Sequence, residues 1–196
     1  MRIYLTILIL ILCIQSLAKA NDIKDFDIDG VSVGESLLNY TSKNLIESKT
    51  KNFYPNSNEY YLIEFDSNEL KFLETYSYIG VHLKKDDKKF LVASIKGMIT
   101  YENDFEPCLD QKKIVVDSIK RTLSSSIEEK YTNNFNNLYG MSKAYISDFK
   151  VKDGFVRIWC TNWDNKTEDQ QGWVDTLNID LSDQNFLDWL NTKAYK

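Results

Sequence analysis

Apolar and polar residues alternate along much of this chain, and where they do the period is that of strands more often than helices. Asp25 to Val33 places Phe26, Ile28, Val31 and Val33 between polar or small residues. This predicts a strand that runs into a turn at Gly30 to Gly34. Glu35 to Tyr40 reads as a short helix with Leu37 and Leu38 inward, and a second begins near Ser42 with Leu45 and Ile46 on its apolar side. Lys49 to Glu59 is polar, contains Pro55 and reads as a loop. Tyr60 to Phe65, Tyr76 to Leu83 and Phe90 to Tyr101 read as strands. The charged stretch Lys84 to Lys89 is the turn between the last two. Ile79, Val81 and Leu83 share one face, and Leu91, Ala93 and Ile95 are expected to share another apolar face. This is the pattern of an antiparallel sheet with one wet side.

The second half begins with a helix over Leu109 to Leu123, whose Leu109, Val116, Ile119 and Leu123 lie near one stripe, with Cys108 at its start. Ser124 to Gly140 is polar and is expected to continue as helix or loop. Ala144 to Val151 and Phe155 to Trp163 form a hairpin across Lys152-Asp153-Gly154, where the Asp-Gly pair favours a tight turn. Asp164 to Gln171 reads as a polar loop, Trp173 to Leu181 as a strand, and Phe186 to Leu190 as a short closing helix capped by Ser182. The order implies an α+β fold. An antiparallel sheet built from hairpins carries a central helix and short terminal helices, in one domain over residues 21–196.

The first twenty residues have a different character. Arg2 supplies a positive start, Ile3 to Ile14 is almost wholly aliphatic, and Ala18-Lys19-Ala20 is an A-x-A cleavage pattern. Together they match a secretory signal peptide over residues 1–20. The apolar run is about 12 residues, short of the roughly 20 that a membrane helix needs. Leu12 before Cys13 is too large for lipid attachment. The expected location is therefore the periplasm or the extracellular space, with no membrane span in the mature chain.

Cleavage would alter the chemistry of what remains. The chain has 24 basic and 29 acidic residues and a formal charge of -5. Loss of Arg2 and Lys19 makes it more acidic, which disfavours a nucleic-acid partner. Cys13 also leaves, so Cys108 and Cys160 remain and are expected to pair in an oxidising compartment. A free nucleophilic thiol is the alternative, but there is no C-x-x-C and only one histidine.

Gly30-Val31-Ser32-Val33-Gly34 fits the G-x-S-x-G elbow of serine hydrolases, with His82 as the only candidate base. The motif stands before the strands that should support it, so the simpler reading is a strand turn and a helix cap. Asp25-Phe26-Asp27-Ile28-Asp29-Gly30 resembles the opening of a calcium loop, yet Ser36 stands where the twelfth-position acid belongs. No cofactor and no metal are expected. Asn39-Tyr40-Thr41 and Asn165-Lys166-Thr167 are glycosylation sequons in a eukaryotic host.

Of the four tryptophans, Trp159, Trp163 and Trp173 fall on or beside the last two strands. Trp159 and Trp163 share a face if their strand stays regular. Such residues are more often core than surface. Exposed instead, they are the candidate binding surface for a sugar or a protein partner.

Asp27 to Leu38 resembles the opening of small exported bacterial proteins of uncharacterised function, and the Cys108 helix, Cys160 and Phe186 to Leu190 extend that likeness along most of the mature chain. The same opening looks more loosely like SmpA/OmlA-like outer-membrane lipoprotein domains, over about a third of the chain and without their lipid-bearing cysteine. The resemblance implies an envelope or secreted location and no catalytic residues. The expected function is a non-enzymatic binding or interaction module for an unknown envelope or extracellular protein or ligand. A small serine hydrolase using Ser32 and His82 is the alternative.

Overall fold

In the computed structural model, residues 22–102, 104–123, 127–135 and 139–196 are described. The segment 1–20, with the pattern of a signal peptide, lies outside them. Two meanders meet in the middle of one sheet. The first comprises β3 (Asn52–Tyr54), β4 (Ser57–Asp66), β5 (Tyr78–Lys84) and β6 (Val92–Tyr101). The second comprises β7 (Glu128–Asn134), β8 (Lys143–Val151), β9 (Gly154–Asn162) and β10 (Asp175–Asp183). The eight strands lie in the order β3-β4-β5-β6-β10-β9-β8-β7, and every neighbouring pair is antiparallel. A two-stranded hairpin, β1 (Asp27–Ile28) and β2 (Val31–Ser32), precedes them.

The helices are α1 (Lys43–Ser48), α2 (Glu106–Thr122), α3 (Asn165–Gln171) and α4 (Gln184–Trp189). The long α2 carries the chain from the centre of the sheet to its far edge. It packs on β9 and β10 through Cys108, Val116 and Ile119, while Leu109 is only partly buried beside them. The α+β class expected from the pattern is the one observed.

One face of the sheet holds the main core. Tyr61, Ile63 and Phe65 of β4, Ile79, Val81 and Leu83 of β5, and Leu177, Ile179 and Leu181 of β10 all point there. Ile28, Val31 and Val33 of the first hairpin join them. Cys108 and Cys160 are fully buried in this core and form a disulfide with an S–S distance of 2.01 Å. The bond fastens the first turn of α2 to β9, so helix and sheet cannot separate without breaking it.

The turn between β8 and β9 is gripped from both sides. Asp153 has φ +56°, and a Cβ on Gly154 would come within 2.5 Å of the Ser182 carbonyl oxygen and 2.6 Å of Ile23 Cβ. Only glycine admits so close a backbone approach.

Several expectations are corrected. The polar stretch 124–140 contains β7, an edge strand rather than a helix. Among the described residues it pairs with β8 alone, and with polar residues on both its faces no alternation marks it. Glu128 anchors it: burial opposes its charge, but hydrogen bonds involving Lys120 and Ser147 outweigh that and hold its carboxyl low. The stretch 49–59 contains β3 and the start of β4. Asp164 to Gln171 is mainly α3, capped by Asp164 and closed by Gly172 at φ +68°. The closing helix is capped by Asp183, not Ser182, through Phe186 N–H at 2.6 Å. The Leu91/Ala93/Ile95 face does not exist. The register shifts between His82 and Leu83, so Ala93 points away from the main core and Leu91 is exposed.

Candidate functional site

The second face of the sheet is lined by a different chemistry. Register places four rows of side chains across it. The first runs Leu62, His82, Ser94, Ser182, Phe155, Lys150. The second is charged: Lys96, Asp180, Arg157, Asp148, Glu129. The third runs Tyr78, Met98, Asn178, Trp159, Ile146, Tyr131. The fourth is small and hydroxylated: Thr100, Thr176, Thr161, Ala144, Asn133.

The end of this face nearest the first row is covered. Tyr60, Ala93, Phe186, Trp189 and Ala194 form a small second core beneath α4 and the turn that follows it. Trp189 is 4% exposed, and its indole N–H donates to Ser57 Oγ at 2.9 Å. His82 is part of this packing. Its Nε2 lies 2.8 Å from Tyr54 Oη, its Nδ1 lies 3.3 Å from Ser94 Oγ, and its ring centroid is 4.5 Å from that of Phe186. Burial, with a smaller contribution from Lys96, lowers the imidazole pKa to about 3. The ring is therefore neutral at ordinary pH.

Ser32 belongs to the other side. Its hairpin packs in the main core through Val31 and Val33, whereas His82 lies on the second face. The strands stand between them, and the two ring nitrogens of His82 face Tyr54 and Ser94. The three acids of the calcium-like stretch are likewise held apart. Asp25 serves a capping box with Asp22, Asp27 accepts Gly30 N–H at 2.7 Å, and Asp29 accepts the backbone N–H groups of Glu74, Thr75 and Tyr76 at 2.9–3.3 Å. Among the described residues no three potential ligands cluster as a metal site would require.

In the charged row, Arg157 Nε and Nη2 donate to the two carboxylate oxygens of Asp148, both at 2.8 Å. Tyr131 Oη completes the triangle, accepting from Arg157 Nη2 at 2.9 Å and donating to Asp148 at 3.0 Å. Asp180 accepts from Ser182 Oγ at 2.7 Å and Ser94 Oγ at 3.3 Å, and burial pushes its pKa up. The Arg157–Asp148–Tyr131 triangle and the Asp180–Ser182–Ser94 cluster each satisfy their polar groups within the sheet.

Beyond the third and fourth rows the face stays open. Trp159, Trp163 and Trp173 line a single cavity of about 470 Å³ together with Phe135, Met98 and the three threonines. Trp163 follows the end of β9, and Trp173 precedes β10. Phe135 stacks on Trp163 with centroids 5.6 Å apart, and Tyr139 packs edge-on against the same indole. The wall is pinned by Asp164. Its carboxylate accepts Met141 N–H at 2.5 Å and Thr167 N–H at 2.8 Å, and these bonds hold its pKa low. Gly140, at φ +58°, leaves the room that this carboxylate occupies.

None of the three tryptophans is buried. Trp159 and Trp163 are half-buried and Trp173 is 37% exposed, so the core role expected of them falls to Trp189 alone. Nothing in the alternation pattern marks Phe135, Tyr139 or the threonine row as part of the same site. Phe135 and Tyr139 arrive with a segment that reads as helix or loop, and the threonines are neighbours only across β6, β10 and β9. No known protein family, curated protein or solved structure matches this chain.

Proposed function

We propose that this protein is exported and acts as a non-enzymatic binding module, with the tryptophan-lined end of the open sheet face as its binding surface. One observation carries the reading: three indoles from β9, the α3 loop and its return to β10, none of them core, line one cavity. Aromatic residues collected at an exposed concave surface are the usual basis of ligand or partner recognition. Trp163 is held in place by its packing against Phe135, Tyr139 and Trp173, which limits the ordering that binding must impose.

Export is supported by the A-x-A pattern at residues 18–20 and by the buried disulfide, a bond characteristic of oxidising compartments. Protein recovered outside the cytoplasm should begin at Asn21.

Indole N–H resonances test the binding role. Spectra of the protein are recorded with mixtures of neutral oligosaccharides, short peptides or fatty acids. One class should move the signals of Trp159, Trp163 and Trp173 and leave that of Trp189 in place. If no class moves them, while ester turnover is present and is abolished by Ser32→Ala, the module reading fails in favour of a hydrolase.

A further inference from the structure

We propose that the ligand of this cavity is a neutral carbohydrate, held with a pyranose ring against Trp159 and its hydroxyl groups over the threonine row. The inference rests on the binding-module reading above and names the class of molecule that the module takes.

The cavity combines two kinds of surface that seldom suit the same ligand. Its walls are indole rings, which favour a flat apolar partner. Its floor is Thr100, Thr176 and Thr161, paired directly across three strands, with Asn178 Nδ2 donating to Thr176 Oγ1 at 2.9 Å. An alkyl chain would offer no acceptor to the threonine O–H groups and would displace the water that can serve them, at a cost in free energy. A pyranose meets both demands. One face of the ring presents C–H bonds to an aromatic plane, while the rim presents hydroxyls that donate and accept. Threonine hydroxyls do the same.

The tryptophans are unequally committed to the protein. Trp163 and Trp173 pack against each other, and against Tyr139. Trp159 has no aromatic ring partner among the described residues, although it lines the cavity. Trp189 uses its indole N–H internally, whereas those of Trp159, Trp163 and Trp173 have no acceptor among the described residues. No buried side-chain nitrogen or oxygen among them lacks a partner, so the half-buried indoles of Trp159 and Trp163 keep their N–H groups open to solvent. These donors have no acceptor among the described residues to compete with a ligand.

Charge selects a neutral sugar. Among the described residues lining the cavity Lys96 is the one that is charged, and Asp180 stands opposite it on β10. No second cation among the described lining residues joins it to clamp a phosphate or carboxylate, whereas three threonine hydroxyls and an amide offer neutral hydrogen-bonding groups. A volume near 470 Å³ falls within the ordinary range for small-molecule sites.

Tryptophan fluorescence provides the test. The protein is titrated separately with maltotetraose, cellotetraose, chitotetraose and a set of uncharged tetrapeptides. At least one glycan should give a saturable change, and Trp159→Ala should weaken it about tenfold or more without lowering the melting temperature. Trp173→Ala, at an exposed loop position, serves as the second variant should Trp159→Ala fold poorly. If tetrapeptides saturate through Trp159 and no glycan does, the carbohydrate assignment is overturned and the binding-module reading stands. If neither class binds, or if glycan binding ignores both substitutions, the assignment is overturned. Absence of all binding also removes the cavity as the functional surface.

Discussion

Trp163 and Trp173 lie with ring centroids 4.7 Å apart and planes inclined at 53°, although all of α3 separates them in the chain. The helix makes the pairing possible. Asp164 caps it directly after Trp163, and Gly172 ends it directly before Trp173. The loop thus leaves β9 and returns to β10 with both indoles at one rim of the open face. A segment that reads as a polar connection is the device that assembles the wall of the cavity.

The glycines at that wall should respond unequally to a methyl group. Gly140→Ala forces a left-handed backbone and drives Cβ onto Asp164 Oδ2, 1.7 Å away before relaxation. It should cost about 1–3 kcal/mol and shift the indole signal of Trp163. Gly172→Ala, also at positive φ but with nothing within 4 Å, should cost about 1 kcal/mol. Urea denaturation of the two variants measures the difference. Equal losses would mean that Asp164 does not press on residue 140.

The disulfide closes a loop of 52 positions. The chain-entropy estimate for that length is roughly 4 kcal/mol. Thermal unfolding with and without reductant, and of the Cys108→Ser/Cys160→Ser variant, should show a large loss of stability with native-like far-ultraviolet dichroism retained in the cold. Unchanged unfolding on full reduction would show that the bond does not restrain the α2–β9 contact.

His82 should make the protein less stable in mild acid. Folded, the ring stays neutral to about pH 3; unfolded, it takes a proton near its ordinary value of 6.5. Between those values the unfolded chain binds more protons, so stability rises with pH. The contribution is complete above about pH 6.5 and declines toward pH 3, by at most roughly 1.4 kcal/mol per unit. Burial also raises the pKa of Asp180 and adds a pH dependence of its own, so the quantity to measure is the difference between the native protein and His82→Gln. That difference should narrow from pH 7.5 to pH 5. A constant difference would mean that the imidazole is not held neutral.

The legible parts of the fold are those where one face is buried and the other wet. Ile79/Val81/Leu83 and Leu177/Ile179/Leu181 announce their strands because every second residue meets the same core. β7 is illegible for the converse reason: an edge strand with polar residues on both faces has no period to read. The bulge beside His82 defeats the face assignment of β6, since one extra residue reverses which side chains point inward. The candidate site is half legible. Trp159 and Trp163 can be placed together by parity, but only strand order brings Thr100, Thr176 and Thr161 beneath them. The pairing of Ser32 with His82 illustrates the opposite failure, because a motif in sequence carries no information about which side of a sheet its partner faces.

Indole hydrogen exchange tests the central claim most directly, since its first arm needs no ligand at all. In the free protein the N–H of Trp189, buried and bonded to Ser57, should exchange slowly, while those of Trp159, Trp163 and Trp173 should exchange rapidly. A bound glycan should slow the exchange of Trp159 and leave Trp189 unchanged. If Trp159 and Trp163 exchange as slowly as Trp189 in the free protein, the open face is covered and the cavity is not a binding site.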